Sequence, residues 1–137
     1  MRLVVLDTNV IVSAGIKPHG VPAKILMDWV LEELVQVVTC PAILEEYREV
    51  VRRPKFKRYG FPPLWLEFVI EKSLRLGDPE PWPLTCPDPT DALFLALAHA
   101  SGAWLVTGNM KHFPEAVRSG VSVLSATDYL ARLAGDI

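Results

Sequence analysis

Apolar residues fall in short blocks separated by polar turns, and the blocks alternate between two kinds of pattern. Leu3, Val4, Val5 and Leu6 run without interruption and give way to Asp7-Thr8-Asn9. Four adjacent apolar residues beside a polar turn predict a buried strand over residues 2–6. Residues 35–39 predict a second strand, residues 103–107 a third and residues 121–124 a fourth. Between them lie helical stretches. One covers residues 21–34 and opens near Gly20 and Pro22; another starts at Pro41, runs to about Arg53 and is closed by Pro54. Pro62 and Pro63 open a helix over residues 64–76. Residues 89–101 predict a helix capped by Gly102, and Ser125 caps a last one ending near Leu133. Residues 77–87 are rich in proline and lack any period, which predicts a stiff connector. Strands separated by helices predict an α/β fold, a three-layer α/β/α sandwich with a mainly parallel sheet of four or five strands. The chain has no internal repeat and no low-complexity tail.

Composition narrows the class. A chain of 137 residues, half of them hydrophobic, is long enough for one domain over residues 1–137 with one sizeable core. No apolar run approaches the ~20 residues a membrane span needs. Met1-Arg2-Leu3 leads straight into the first strand and leaves no room for a signal peptide. The expectation is a cytoplasmic protein with no membrane association.

The formal charge of −2 does not announce a nucleic-acid partner. Its distribution is uneven: Arg52, Arg53, Lys55, Lys57 and Arg58 cluster beside Phe56, Tyr59 and Phe61. Cations at a helix C-terminus explain the cluster as a solvated end. The sharper reading is a phosphate-contacting patch beside an acidic site, which a nuclease assignment would favour over the solvated end. Cys40 and Cys86 each precede a proline and have no partners at zinc spacing, which favours reduced, buried thiols and leaves a disulfide open.

The candidate chemistry is acidic. Asp7 ends the first strand, at the carboxyl edge of the sheet where open α/β folds bind ligands. Asp88 and Asp91 open a very apolar helix. Asp88 is a natural N-cap before Pro89, and an acid at Asp91 complements the helix dipole. Because that helix is apolar nearly all round, Asp91 should sit at the mouth of a buried element and need a cation or donor. On the helix from Pro41, Glu45 and Glu49 lie roughly 160° from the centre of the apolar stripe, whereas Glu46 lies about 100° away at its boundary. Glu46 is therefore the one able to turn into a cleft. Thr107-Gly108-Asn109 ends the third strand as Asp7-Thr8-Asn9 ends the first.

Other chemistries find less support. His19, His99 and His112 make no ligand spacing and read as structural or surface residues. No GxGxxG and no Walker sequence is present, which argues against a nucleotide cofactor. A doubly wound phosphatase or receiver also carries an aspartate after its first strand, and Lys111 could serve as its lysine; Glu46 and the Asp88/Asp91 pair fit that class poorly. A non-catalytic domain that binds RNA or protein is a further alternative.

Taken together, Val4-Val5-Leu6-Asp7-Thr8-Asn9, Ile43-Leu44-Glu46, Arg53-Pro54-Lys55-Phe56, Asp88-Pro89-Thr90-Asp91, Val106-Thr107-Gly108-Asn109 and His112-Phe113-Pro114 resemble the PIN domain family. These are metal-dependent ribonucleases that include the VapC-like toxins of toxin–antitoxin pairs. The resemblance implies that Asp7, Glu46 and Asp91 take the places of the three main acidic residues. It implies that Thr107 and Asn109 form the last motif, where many members carry aspartate in place of Asn109. That departure removes one negative charge, for which Asp88 can compensate. Asn9 is implied to orient the site. The resemblance further implies magnesium or manganese as cofactor, hydrolysis of RNA phosphodiesters by an ion held by Asp7, Glu46, Asp88 and Asp91, a small antitoxin that masks the cleft, and a homodimer. In this setting Arg52, Arg53, Lys55, Lys57 and Arg58 become candidates for contacting the RNA backbone.

Overall fold

A computed structural model describes residues 2–17, 19–24, 32–57 and 63–135. The elements are β1 (Arg2–Leu6), α1 (Thr8–Ile16), α2 (Val21–Lys24), β2 (Val35–Thr39), α3 (Pro41–Val51), α4 (Pro54–Lys57), α5 (Pro63–Lys72) and β3 (Leu74–Arg75). They continue with α6 (Pro89–Ser101), β4 (Trp104–Val106), a 3-10 turn (Met110–His112), α7 (Glu115–Arg118), β5 (Val123–Leu124) and α8 (Ala126–Gly135). Among the described residues the sheet has five strands in the order β3-β2-β1-β4-β5, and every pairing is parallel. The fold is the expected α/β sandwich.

Parallel strands are covered on both faces, so they carry apolar residues without alternation. Val4, Val5 and Leu6 in β1 and Leu105 and Val106 in β4 are all buried. Their register sets Val5 beside Leu105 and Leu6 beside Val106. α6 packs along β1, β2 and β4, and α5 packs on β2. Burial of Phe94, Leu95, Leu97 and Ala98 explains why α6 is apolar on nearly every side. Gly102 ends it in the left-handed conformation at φ 72°, which glycine adopts at no steric cost.

Three expectations need correction. The stretch read as a turn after Asp7 is the start of a helix, α1. Its residues Val10, Ile11 and Val12 are weak helix formers, but all three are buried, and burial outweighs propensity. The helix expected over residues 64–76 stops at Lys72. There Ser73 Oγ donates to the Ile70 carbonyl at 2.7 Å and stands 2.9 Å from Thr39 Oγ1. Leu74 and Arg75 then pair with β2 as a fifth strand. Of the helix expected over residues 21–34, only Val21–Lys24 is helical among the described residues. Glu32 to Leu34 form a turn, and residues 25–31 lie outside the described set. Cys40 and Cys86 are both buried and free.

Candidate functional site

The strand order reverses between β1 and β4. The chain steps outward from β1 to β2 and β3, then returns to the far side of β1 for β4 and β5. Such a switch point opens a crevice at the carboxyl ends of the two central strands. Asp7 sits there, continuing the ladder by donating its amide to the Val106 carbonyl at 2.9 Å. Its side chain is held from β4. Thr107 Oγ1 donates to Asp7 Oδ2 at 2.7 Å and itself accepts from the Asn109 amide at 3.0 Å. Asn9 Nδ2 donates weakly to the same Asp7 oxygen at 3.4 Å, while Asn9 Oδ1 accepts from the Gly108 amide at 2.9 Å. A Cβ on Gly108 would stand 3.1 Å from Asn9 Oδ1. Glycine is what lets the turn after β4 approach the first turn of α1 this closely. Burial pushes the Asp7 carboxyl above its ordinary range, and the Thr107 hydroxyl pulls it partly back.

Asp88 and Asp91 enter the crevice from the N-terminus of α6. Asp88 performs the expected cap, accepting from the Thr90 amide at 2.9 Å, and remains exposed. Asp91 is only 5% exposed. Its Oδ2 has no hydrogen-bond donor aligned on it, although His112 Nδ1 stands 3.1 Å away, close enough to attract. Burial, then the charges of Asp7 and Asp88, push the Asp91 carboxyl up to about 6. A carboxylate in that setting is costly without a cation.

Glu46 reaches the same crevice from α3. The neighbouring Tyr47 fixes that helix by donating its buried phenol to the Leu6 carbonyl, one residue before Asp7. Glu46 is half-buried, and burial followed by the charge of Glu49 raises its pKa while Arg53 opposes the rise. The resulting cavity, about 720 Å³, is lined by Asp7, Asn9, Glu46, Asp88, Asp91 and His112, with Arg53, Lys55 and Phe56 beside them.

The cleft thus brings together five acids, with Glu49 at the rim, one asparagine and part of the basic segment. Arg53 pairs with Glu49 at 3.6 Å, and Lys55 Nζ lies 4.8 Å from the centre of the Phe56 ring. Arg52 departs from expectation. It lines a neighbouring groove with Glu45, Arg48 and Glu49. Lys57 belongs to α4, and Arg58 lies outside the described residues. Asn109 departs too: it is not among the lining residues, and its amide supports Thr107 instead. Lys111, the lysine a receiver-type site would use, is exposed and is not among the residues lining the cleft.

Two lining residues differ from what their sequence setting suggests. Glu49, expected to be an ordinary solvent-facing charge, is exposed but forms part of the rim. His112, expected to be structural or on the surface, points into the cleft. Asp88, Asp91 and His112 each offer one ligand atom, and these atoms lie within 4.8 Å of one another. No spacing in the sequence announces this group, because β4 and its following turn carry His112 back to α6.

A PIN domain family model matches residues 3–111. An uncharacterized protein of Methanocaldococcus jannaschii is 36% identical, over 77% of this chain and 70% of its own length. Among solved structures, VapBC2 from Rickettsia felis, bound to a DNA fragment from its promoter, is similar with a TM-score of 0.61 at 18% identity; 88% of this chain and 96% of that chain are covered. PAE2754 from Pyrobaculum aerophilum is similar with a TM-score of 0.59 at 18% identity, covering 98% of this chain and 90% of that one. With the family model matched across both central strands and all five acids that line the crevice, this chain belongs to the PIN domain family.

Proposed function

We propose that this chain is a metal-dependent endoribonuclease, a single domain over residues 1–137 that acts in the cytoplasm as the toxin of a toxin–antitoxin pair. The observation that carries the reading is the buried Asp91 carboxyl, with Oδ2 lacking an aligned donor, facing a crevice shared with Asp7, Asp88 and Glu46. Such a donor set fits a divalent cation, since hard ions take several carboxylate oxygens. Asp7, Asp88, Asp91 and Glu46 would hold it. A magnesium or manganese ion bound there supplies Lewis acidity toward a phosphodiester and toward the attacking water.

The protein's own part is positional. Thr107 and Asn9 fix the Asp7 carboxylate, so that it stays oriented when the cation is absent. Tyr47 ties α3 to the end of β1 and thereby sets the distance between Glu46 and Asp7. Arg53 and Lys55 at the rim attract the RNA backbone, while the acids repel phosphate that is not accompanied by a cation. The experiment is incubation with RNA in manganese, in magnesium and in EDTA. Cleavage with an ion and none in EDTA is the expected result; binding without cleavage in all three would favour a non-catalytic RNA-binding domain.

The solved relative VapBC2, a complex by its description, supports an antitoxin partner by analogy. A basic side chain of that partner inserted among the carboxylates would mask the cleft. We further propose a homodimer, which sedimentation of the isolated chain at several concentrations would test; a strict monomer would contradict it.

A further inference from the structure

We infer that His112 is itself a metal ligand, and that its nitrogen tunes this centre toward manganese and other transition dications and away from magnesium. The inference rests on the reading of the cleft as a metal centre and adds to it which ion the centre selects. Asp88, Asp91 and His112 form the group whose ligand atoms lie within 4.8 Å of one another. His112 Nδ1 is 3.1 Å from Asp91 Oδ2, the buried oxygen with no aligned hydrogen-bond donor. Two such atoms, 3.1 Å apart, can share one cation.

The position of the ring is built into the fold. The 3-10 turn Met110–His112 is closed by the His112 amide donating to the Asn109 carbonyl at 3.1 Å. The next residue, Phe113, is fully buried, and its carbonyl accepts from Arg118 Nε at 2.7 Å. An anchored neighbour and a closed turn hold the backbone that carries the imidazole beside the cleft. His112 also lies one residue beyond the stretch that the family model matches. Three residues earlier stands Asn109, the position where an acid is absent and whose side chain does not reach the lining. His112 would thus bring a nitrogen to a group whose other ligand atoms are carboxylate oxygens.

Ligand chemistry decides what such a set prefers. Magnesium demands near-octahedral oxygen ligands and keeps much of its water. Imidazole is a ligand for first-row transition ions, whose affinity for nitrogen exceeds that of magnesium. The competing role for His112 is as a counterion of Asp91 when the cation is absent. The two roles differ in what His112→Gln would change. The side chain is 42% exposed, so the variant removes the ring from an open position rather than from the core.

The test uses the full chain stripped with EDTA. Manganese binding is followed by electron paramagnetic resonance, and magnesium by competition against it. Wild type should bind manganese more tightly than magnesium. Loss of a ligand should lower manganese affinity by about 10-fold or more in His112→Gln and leave magnesium affinity within about 3-fold. Pulsed spectra of the manganese-loaded wild type should show nitrogen-14 coupling, and those of the variant should not. Unchanged manganese affinity, a parallel loss for both ions, or no nitrogen coupling in wild type would each overturn the assignment of His112 while leaving the carboxylate centre standing. Failure of wild type to bind either ion would overturn the metal centre itself, and this inference with it.

Discussion

Thr107 Oγ1 donates to Asp7 Oδ2 across 2.7 Å, joining two residues one hundred positions apart. The bond spans the two central strands at the point where strand order reverses. It holds a buried carboxyl in one orientation, and it makes the end of β4 a structural part of the site that begins on β1.

The first prediction concerns Asp7. Asp7→Asn keeps an oxygen to accept from Thr107 and removes a negative charge that raises the pKa of Asp91. The metal-free variant should be no less stable than wild type. It should lose most of the increase in melting temperature that manganese gives, because an ion stabilises only to the extent that it binds the folded state. It should also lose RNA cleavage. Thermal melts with and without manganese decide the matter, and an undiminished shift in the variant would remove Asp7 from the ligand set.

Stability should depend on pH in an unusual direction. Asp91 has a folded pKa of about 6 against an ordinary 3.8, so the folded chain binds its proton more tightly than the unfolded chain does. Stability from this group is therefore greatest at low pH and declines as pH rises from the lower value through the higher one. Asp7 and Glu46 are raised as well and act in the same sense. For Asp91 the loss is at most roughly 3 kcal/mol, and water entering the cleft reduces it. Asp91→Asn should flatten most of the decline in EDTA. Manganese should invert it, because the ion competes with the proton for the carboxylate. Melts in EDTA between about pH 4.5 and 7.5 provide the check; equal slopes for wild type and Asp91→Asn would refute the assignment.

Gly108 and Asn9 should behave as one unit. The Gly108→Ala methyl would meet Asn9 Oδ1 at 3.1 Å and displace the carboxamide that the Gly108 amide holds. Each of Gly108→Ala and Asn9→Ala should destabilise by about 1 kcal/mol, the usual net worth of a hydrogen bond. Together they should cost little more than either alone, because both remove the same hydrogen bond. Urea denaturation of the two single variants and the double variant measures this, and strict additivity would mean the two residues act separately.

The basic segment should divide between two faces. Arg53 and Lys55 line the cleft, while Arg52 lines the groove with Glu45 and Arg48. Replacing both Arg53 and Lys55 with alanine should weaken RNA binding for all sequences. Each cation neutralises one phosphate of a single strand, so removing both should flatten the slope of log affinity against log salt by about 1.4. Arg52→Ala should leave the slope unchanged. Titrations in calcium at several salt concentrations give the answer, and equal effects from both replacements would show that the cleft rim has no special part in binding.

The sequence by itself determined the sheet and the acids at its edge. Val4, Val5 and Leu6 followed by Asp7, and Leu105 and Val106 followed by Thr107, are local patterns: an uninterrupted apolar run of this length fits a strand covered on both faces, and the polar residue after it lies at the strand's end. Asp88 as a cap and Asp91 as a buried acid were legible for the same reason, since cap chemistry and an all-apolar helix are written in consecutive residues. What lay beyond local pattern was decided by packing between distant segments. α1 is helical although its β-branched residues disfavour it, because burial outweighs propensity. β3 is a strand through its pairing with β2, beside which Thr39 Oγ1 and Ser73 Oγ are in hydrogen-bond contact. Arg52 and Arg53 are adjacent in sequence yet line different grooves, because α3 ends at Val51 and both lie in the turn that leads to α4. His112 carries no spacing signal; its nearness to Asp91 exists only once the turn after β4 folds back against the start of α6. Ligand groups assembled from several elements are a property of tertiary structure, because a sequence records order along the chain and a metal site depends on distance in space.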